Sequence, residues 1–156
     1  QGLDAWLIYD FRGVNPGALP LLELESGLLS RRIFALIPAE GEPKLLVSRL
    51  EIGSLRAPGF AVRSYTGRED LETELRALLP EGGRVAMEIS PNADVPYVSH
   101  VDYGTGRLIA SLLAEHGGEL VSSADILQAF AAWTPAQVAA HRTAANAVME
   151  VLELAW

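Results

Sequence analysis

Three carboxylates stand where the chain changes structure. Asp10 closes an apolar run, Glu88 lies near the end of a later one, and Asp102 opens a helical segment. Acids at strand and helix ends can hold a divalent cation, as in magnesium-dependent nucleases built on a ribonuclease-H-like sheet. The same acids have a structural use. An aspartate at a helix start caps it, and one at a strand end accepts from the amides of the following loop. Composition favours the structural use. The chain has 12 Lys+Arg against 20 Asp+Glu and a net charge of −8, which repels a polyanionic substrate and argues against a nucleic-acid partner.

Arg12, Arg31 and Arg32 are the candidate anion contacts, because a guanidinium grips a carboxylate in two-pronged fashion. Arg12 lies in "DFRGVNP", directly after an apolar strand, where open α/β sheets place their sites. Gly13 and Pro16 restrict how this loop turns. Asp10, Arg12 and Asn15 are therefore the candidate site residues, a rigid loop whose arginine faces a substrate. The competing reading pairs Arg12 with Asp10 or leaves it in solvent.

Other chemistries lack their residues. There is no cysteine, so disulfides, thiol catalysis and cysteine-ligated zinc are excluded, and a reducing cytoplasm is the simplest setting. His100, His116 and His141 are never three or four apart and no HExxH occurs, so caps, surface and packing are their expected uses. Neither GxSxG, GxGxxG nor GxxxxGK[ST] is present, and "DYGTGR" offers only a fragment of a phosphate loop. No apolar run is long enough to span a bilayer, and no signal peptide is evident. No catalytic motif is found, and for the histidines and the three carboxylates the structural uses are favoured over a metal site.

The elements that would position these residues can be read from periodicity and punctuation. Ala5–Tyr9 is a buried strand that contains Trp6, and "RGVNPGALP" is loop. "RRIFALIP" and "PKLLVSRLE" flank "AEGE" as a hairpin, and "FAVRSYT" is a further strand. Thr66 and Glu69 have the spacing of a capping box for "REDLETELRALL", which Pro80 stops. "RVAMEIS" is a strand, "VDYGTGRLIASLLAEHGG" a helix ended by Gly117 and Gly118, "ELVSS" a strand and "ADILQAF" a short helix. Thr134 and Gln137 form a second capping box, with Pro135 at the first helical position. The helix that follows has no stop signal before Trp156, so a longer chain is expected, with Trp156 contacting a part beyond it. The order gives an α/β fold, a mixed sheet with flanking helices.

Taken together, "DAWLIYDFRGVNP", "RRIFALIPAEGEPKLLVSRLE", "VAMEISPNADVPYVSHVDYGT" and "ELVSSADILQAFAAWTPAQVAAHRTAA" resemble the N-terminal domain of Xaa-Pro peptidases. These belong to the creatinase/prolidase group of pita-bread metallopeptidases, and the resemblance covers essentially the whole chain. It implies a ribonuclease-H-like creatinase/prolidase N-terminal domain over residues 1–133 and a linker helix over 134–156. That helix would lead into a catalytic domain that this chain does not contain. In the family, that downstream domain binds two divalent metal ions through two aspartates, a histidine and two glutamates. The implied partners are that domain, a second subunit in a homodimer, and a peptide with a penultimate proline. No nucleic acid or membrane is expected. The implied role is non-catalytic: shaping substrate access and dimer contacts. The alternatives are a stand-alone binding or assembly module, or the N-terminal domain of a creatinase-like amidinohydrolase.

Overall fold

A computed structural model describes residues 2–26 and 29–155, so Trp156 and the contact expected of it lie outside the described residues. β1 (Ala5–Phe11) is buried from Ala5 to Asp10, as its apolar run requires. One turn of helix, α1 (Ala18–Leu21), interrupts the segment expected as loop and packs by β1. β2 (Glu25–Ser26) follows, then β3 (Arg32–Pro38) and β4 (Lys44–Ser48), which form the expected antiparallel hairpin with Phe34 opposite Leu46. β5 (Leu55–Arg56) pairs with β2 in a separate two-stranded ribbon that no periodicity announced. β6 (Ala61–Tyr65), α2 (Arg68–Leu78), β7 (Arg84–Met87), α3 (Tyr103–Ala114) and β8 (Glu119–Ser122) complete the layer.

The main sheet has the order β6-β4-β3-β1-β7-β8. β3 runs against β1 and β4, while β4–β6, β1–β7 and β7–β8 are parallel. Five strands therefore share one direction, and their carboxyl ends meet at one edge of the sheet. α2 and α3 cover one face. Leu71, Leu75 and Leu78 of α2 and Ile109, Leu112 and Leu113 of α3 are buried against Leu7, Tyr9, Phe34, Leu36 and Leu46. Each such side chain removed from water stabilises the fold by about 1.5–3 kcal/mol.

Local boundaries differ from expectation in three places. Gly67, not Thr66, is the N-cap of α2, and it has no side chain to cap with. Thr66 thus lies one residue outside the helix, and its amide and hydroxyl both donate to Asp70, at 2.7 and 2.8 Å, instead of engaging Glu69. β7 stops at Met87, because the Ile89 amide turns back to the Met87 carbonyl and lifts Glu88 out of the ladder. α3 begins at Tyr103, with Asp102 as its cap. Its end is as expected: Gly117 takes φ 73° and the Gly118 amide closes on the Leu113 carbonyl.

Chain contacts divide the molecule into Gln1–Ala124 and Asp125–Trp156. The second unit holds most of α4 (Ala124–Ala131) and all of α5 (Pro135–Ala155). The capping box at its start is formed, with the Thr134 amide donating to Gln137 Oε1 and the Gln137 amide to Thr134 Oγ1. The His141 ring lies 4.7 Å from that of Trp133, a packing use of that histidine. Val148, Met149, Val151, Leu152 and Leu154 of α5 are exposed. No helix among the described residues is long and apolar enough to cross a membrane.

Candidate functional site

The loop after β1 is held from inside. Asp10, 2% exposed, accepts from the Gly13 amide through Oδ2 and the Asn15 amide through Oδ1, each at 2.8 Å. Asn15, 5% exposed, donates to the Tyr9 carbonyl at 2.9 Å and accepts from the Gly17 amide at 3.1 Å. Arg12 and Gly13 both take left-handed backbone, with φ 65° and 72°. That turn leaves Arg12 exposed while its neighbours in the candidate trio face inward. The three residues share a rigid loop but not a surface. Among the described residues no ion pair joins Arg12 to Asp10, so the reading of the arginine as a structural partner of that aspartate is corrected: backbone amides already occupy the carboxylate.

Glu88 closes the loop from below. It is 1% exposed and accepts from Trp6 Nε1 at 2.6 Å, from Ser123 Oγ at 3.4 Å, and from the Tyr9 amide and Asn15 Nδ2 at 3.5 Å. Burial pushes its carboxyl above the ordinary glutamate range, against the pull of these bonds. Asp102 has a different environment. It caps α3 through the Thr105 amide and hydroxyl, at 2.9 and 2.7 Å, and accepts the Tyr9 hydroxyl at 2.9 Å. Burial works to raise its carboxyl, but these donors outweigh that and hold it below the usual range. Burial also pushes the Tyr9 hydroxyl up to about 12, so it remains a donor at neutral pH.

Asp10, Glu88 and Asp102 are thus each committed to loop, indole or helix donors. Among the described residues no group of three His, Asp or Glu side chains could hold a metal ion. The donor set does not suit a two-metal centre, and no metal-dependent step is assigned to these residues. Sequence reasoning treated Glu88 only as a possible ligand and missed its use as the acceptor that joins Trp6 to the loop. An unpaired acid after an apolar strand gives no sign of which donor it will meet.

Beside the loop, where the strands end, a cleft of about 800 Å³ opens between the N-termini of α2 and α3. Tyr9, Arg31, Arg32, Tyr65, Gly67 and Asp102 are among its walls. The structure brings Arg31 and Arg32 into this cleft, and Arg12 is not among its lining residues. A smaller hollow shares Tyr9, Phe11 and Asp102 with this cleft and is also lined by Val14 and His100.

No family model matches the sequence, and no curated protein matches it significantly. Solved structures match the fold. The creatinase/prolidase N-terminal domain of an X-Pro dipeptidase from Streptococcus pyogenes aligns with a TM-score of 0.55 and 18% identity, over 81% of this chain and 86% of that one. A proline dipeptidase from Streptococcus pneumoniae aligns with a TM-score of 0.56 and 20% identity, over 82% and 86%. A dipeptidase from Pyrococcus horikoshii aligns with a TM-score of 0.57 and 18% identity, over 97% of this chain and 40% of that one. The chain therefore has the mixed α/β fold of creatinase/prolidase N-terminal domains.

Proposed function

We propose that this chain is the N-terminal domain of a proline-specific metallopeptidase, without a catalytic set of its own. It would shape substrate access to a catalytic domain on the same polypeptide. The observation that carries the reading is the fold, shared with a domain of an X-Pro dipeptidase over most of both chains and with part of a larger dipeptidase over nearly all of this one. The site geometry agrees with a supporting role. Its acids are spent on internal hydrogen bonds, and its one outward-facing cation in the strand-end loop is Arg12 on a rigid turn. In the assembled enzyme, two divalent ions held by the downstream domain would supply the hydrolytic chemistry. The loop 10–16 would border the entrance, with Arg12 meeting the carboxylate of a short Xaa-Pro peptide. A cytoplasmic homodimer is the setting this role implies.

Two measurements test the reading. The coding sequence beyond residue 156 is expected to supply two aspartates, a histidine and two glutamates as metal ligands, and the intact polypeptide is expected to hydrolyse Xaa-Pro dipeptides. The 156-residue chain alone is expected to show no turnover with manganese, cobalt or zinc. Metal-dependent hydrolysis by that chain, or a stop codon shortly after residue 156, would overturn the proposal, and the stop codon would favour a stand-alone binding module.

A further inference from the structure

We propose that the cleft between the N-termini of α2 and α3 binds a small organic anion, a molecule bearing a carboxylate or phosphate on an apolar body. The role proposed for Arg12 does not use this cleft, although Phe11 of the same loop lines it. Its volume of about 800 Å³ is that of a small-molecule site. In a chain of net charge −8 it gathers three of the 12 basic residues, Arg31, Arg32 and Arg68. They arrive from separate elements: the start of β3, whose ladder places Arg32 opposite Phe11, and the first turn of α2.

The state of these cations sets them apart. Arg63, Arg76 and Arg84 each lie within 3.2 Å of a glutamate. Among the described residues neither Arg31 nor Arg32 forms an ion pair, and Arg68 meets Glu72 only at 3.4 Å with its side chain 87% exposed. Arg32 lines the cleft together with Tyr9, Tyr65 and Asp102, and its charge bears on all three. Of the lining acids, Asp102 accepts from Thr105 and Tyr9 and keeps its negative charge, and Glu72 stands against Arg68, so the three arginines outnumber the two lining carboxylates. Leu50, Leu71 and Leu108 give the ligand's body an apolar wall. Gly67 adds a further feature, because the first-turn amides of α2 have no side-chain cap on the side lined by the cleft. The arginines and the apolar wall of the open cleft make the site, and the helix end completes it.

The test is titration of the 156-residue chain with inorganic phosphate, phenyl phosphate and hippurate, followed by calorimetry and amide chemical shifts. Saturable binding of an organic probe, tighter than inorganic phosphate and shifting the Gly67 and Arg68 amides, is the expected result. Whether phenyl phosphate or hippurate binds tighter identifies the oxyanion. The Arg31→Gln/Arg32→Gln variant should bind about tenfold or more weakly, the scale of lost charge-assisted contacts. Gly67→Asp is the second variant. The backbone there is extended, at φ −150°, and a Cβ would meet no atom within 4 Å. The new carboxylate should cap α2, keep the fold and weaken binding, whereas Arg142→Gln on α5 should leave it unchanged. The proposal fails if no probe binds saturably, if inorganic phosphate binds as tightly as both organic probes, or if binding survives both cleft variants.

Discussion

Glu88 shows how one buried acid couples the loop to pH. Its carboxyl is raised by burial and has no cation beside it among the described residues, only the indole, a hydroxyl, an amide and Asn15. An acid whose folded pKa exceeds its unfolded value binds more protons in the folded state across that interval. Stability should therefore fall as pH rises from the ordinary glutamate value of 4.5 through the raised folded value, then level off. Glu88→Gln keeps an acceptor for Trp6 and removes the titration, so thermal midpoints measured against pH should lose that downward slope. An unchanged slope would assign it to other groups. Glu88→Ala should instead cost about 1–3 kcal/mol below the ordinary glutamate value, because the buried Trp6 N–H loses its acceptor at 2.6 Å, and less as pH rises through the raised folded value. Arg12 is the opposite case, exposed and without an ion-pair partner among the described residues. If it meets a peptide carboxylate in the intact enzyme, Arg12→Ala should raise KM for short Xaa-Pro substrates roughly ten- to a hundredfold, equivalent to about 1.5–3 kcal/mol. The thermal midpoint should barely move, since the hydrogen bonds of the loop run through Asp10 and Asn15. A normal KM would remove the substrate role.

At the scale of the element, α3 depends on a cap that also serves the sheet. Asp102→Ala removes the acceptor for the Thr105 amide and strands the Tyr9 hydroxyl. The expected loss is about 1–2 kcal/mol, or roughly 3–8 °C in thermal midpoint for a domain of this size. Because its donors hold the folded Asp102 carboxyl below the ordinary value of 3.8 despite burial, its contribution is present above that value. It is lost as pH falls through the folded pKa, so wild type and Asp102→Ala should converge in strong acid. The cap was legible from the sequence, as were the β3–β4 hairpin and the Thr134–Gln137 box, because each rests on residues within a few positions of one another. β2 and β5 were not, since two-residue strands have no period to detect. The cap of α2 was misplaced by one residue because a glycine at the N-cap leaves no chemical mark. The cleft was invisible for another reason: Arg32, Gly67 and Asp102 converge only once β6 is joined to β7 by a helix crossing the sheet. Positions of strand ends could be read from the chain, but which ends become neighbours is set by strand order.

The whole molecule divides its apolar surface unevenly. Among the described residues every buried hydrophobic side chain falls between Ala5 and Leu113, inside the first compact unit, and that unit contains the six-stranded sheet. α4 and α5 contain no buried residue, while α5 exposes Val148, Val151, Leu152 and Leu154 along one stretch. A run of exposed apolar residues can associate with another apolar surface in water. A fragment ending at residue 124 should consequently keep a single cooperative unfolding transition, since its core pairs of Leu7, Phe34, Leu75 and Ile109 are intact. Its thermal midpoint should lie within a few degrees of the parent chain, because the removed residues take little apolar area out of water. The parent chain should show concentration-dependent association by sedimentation that the fragment lacks, and Leu152→Glu should reduce that association without changing the midpoint. A fragment that melts without cooperativity would mean that the second unit completes the core. A parent chain that stays monomeric at every concentration would mean that the apolar residues of α5 do not pair with themselves, leaving a different protein surface as the partner to seek in the intact polypeptide.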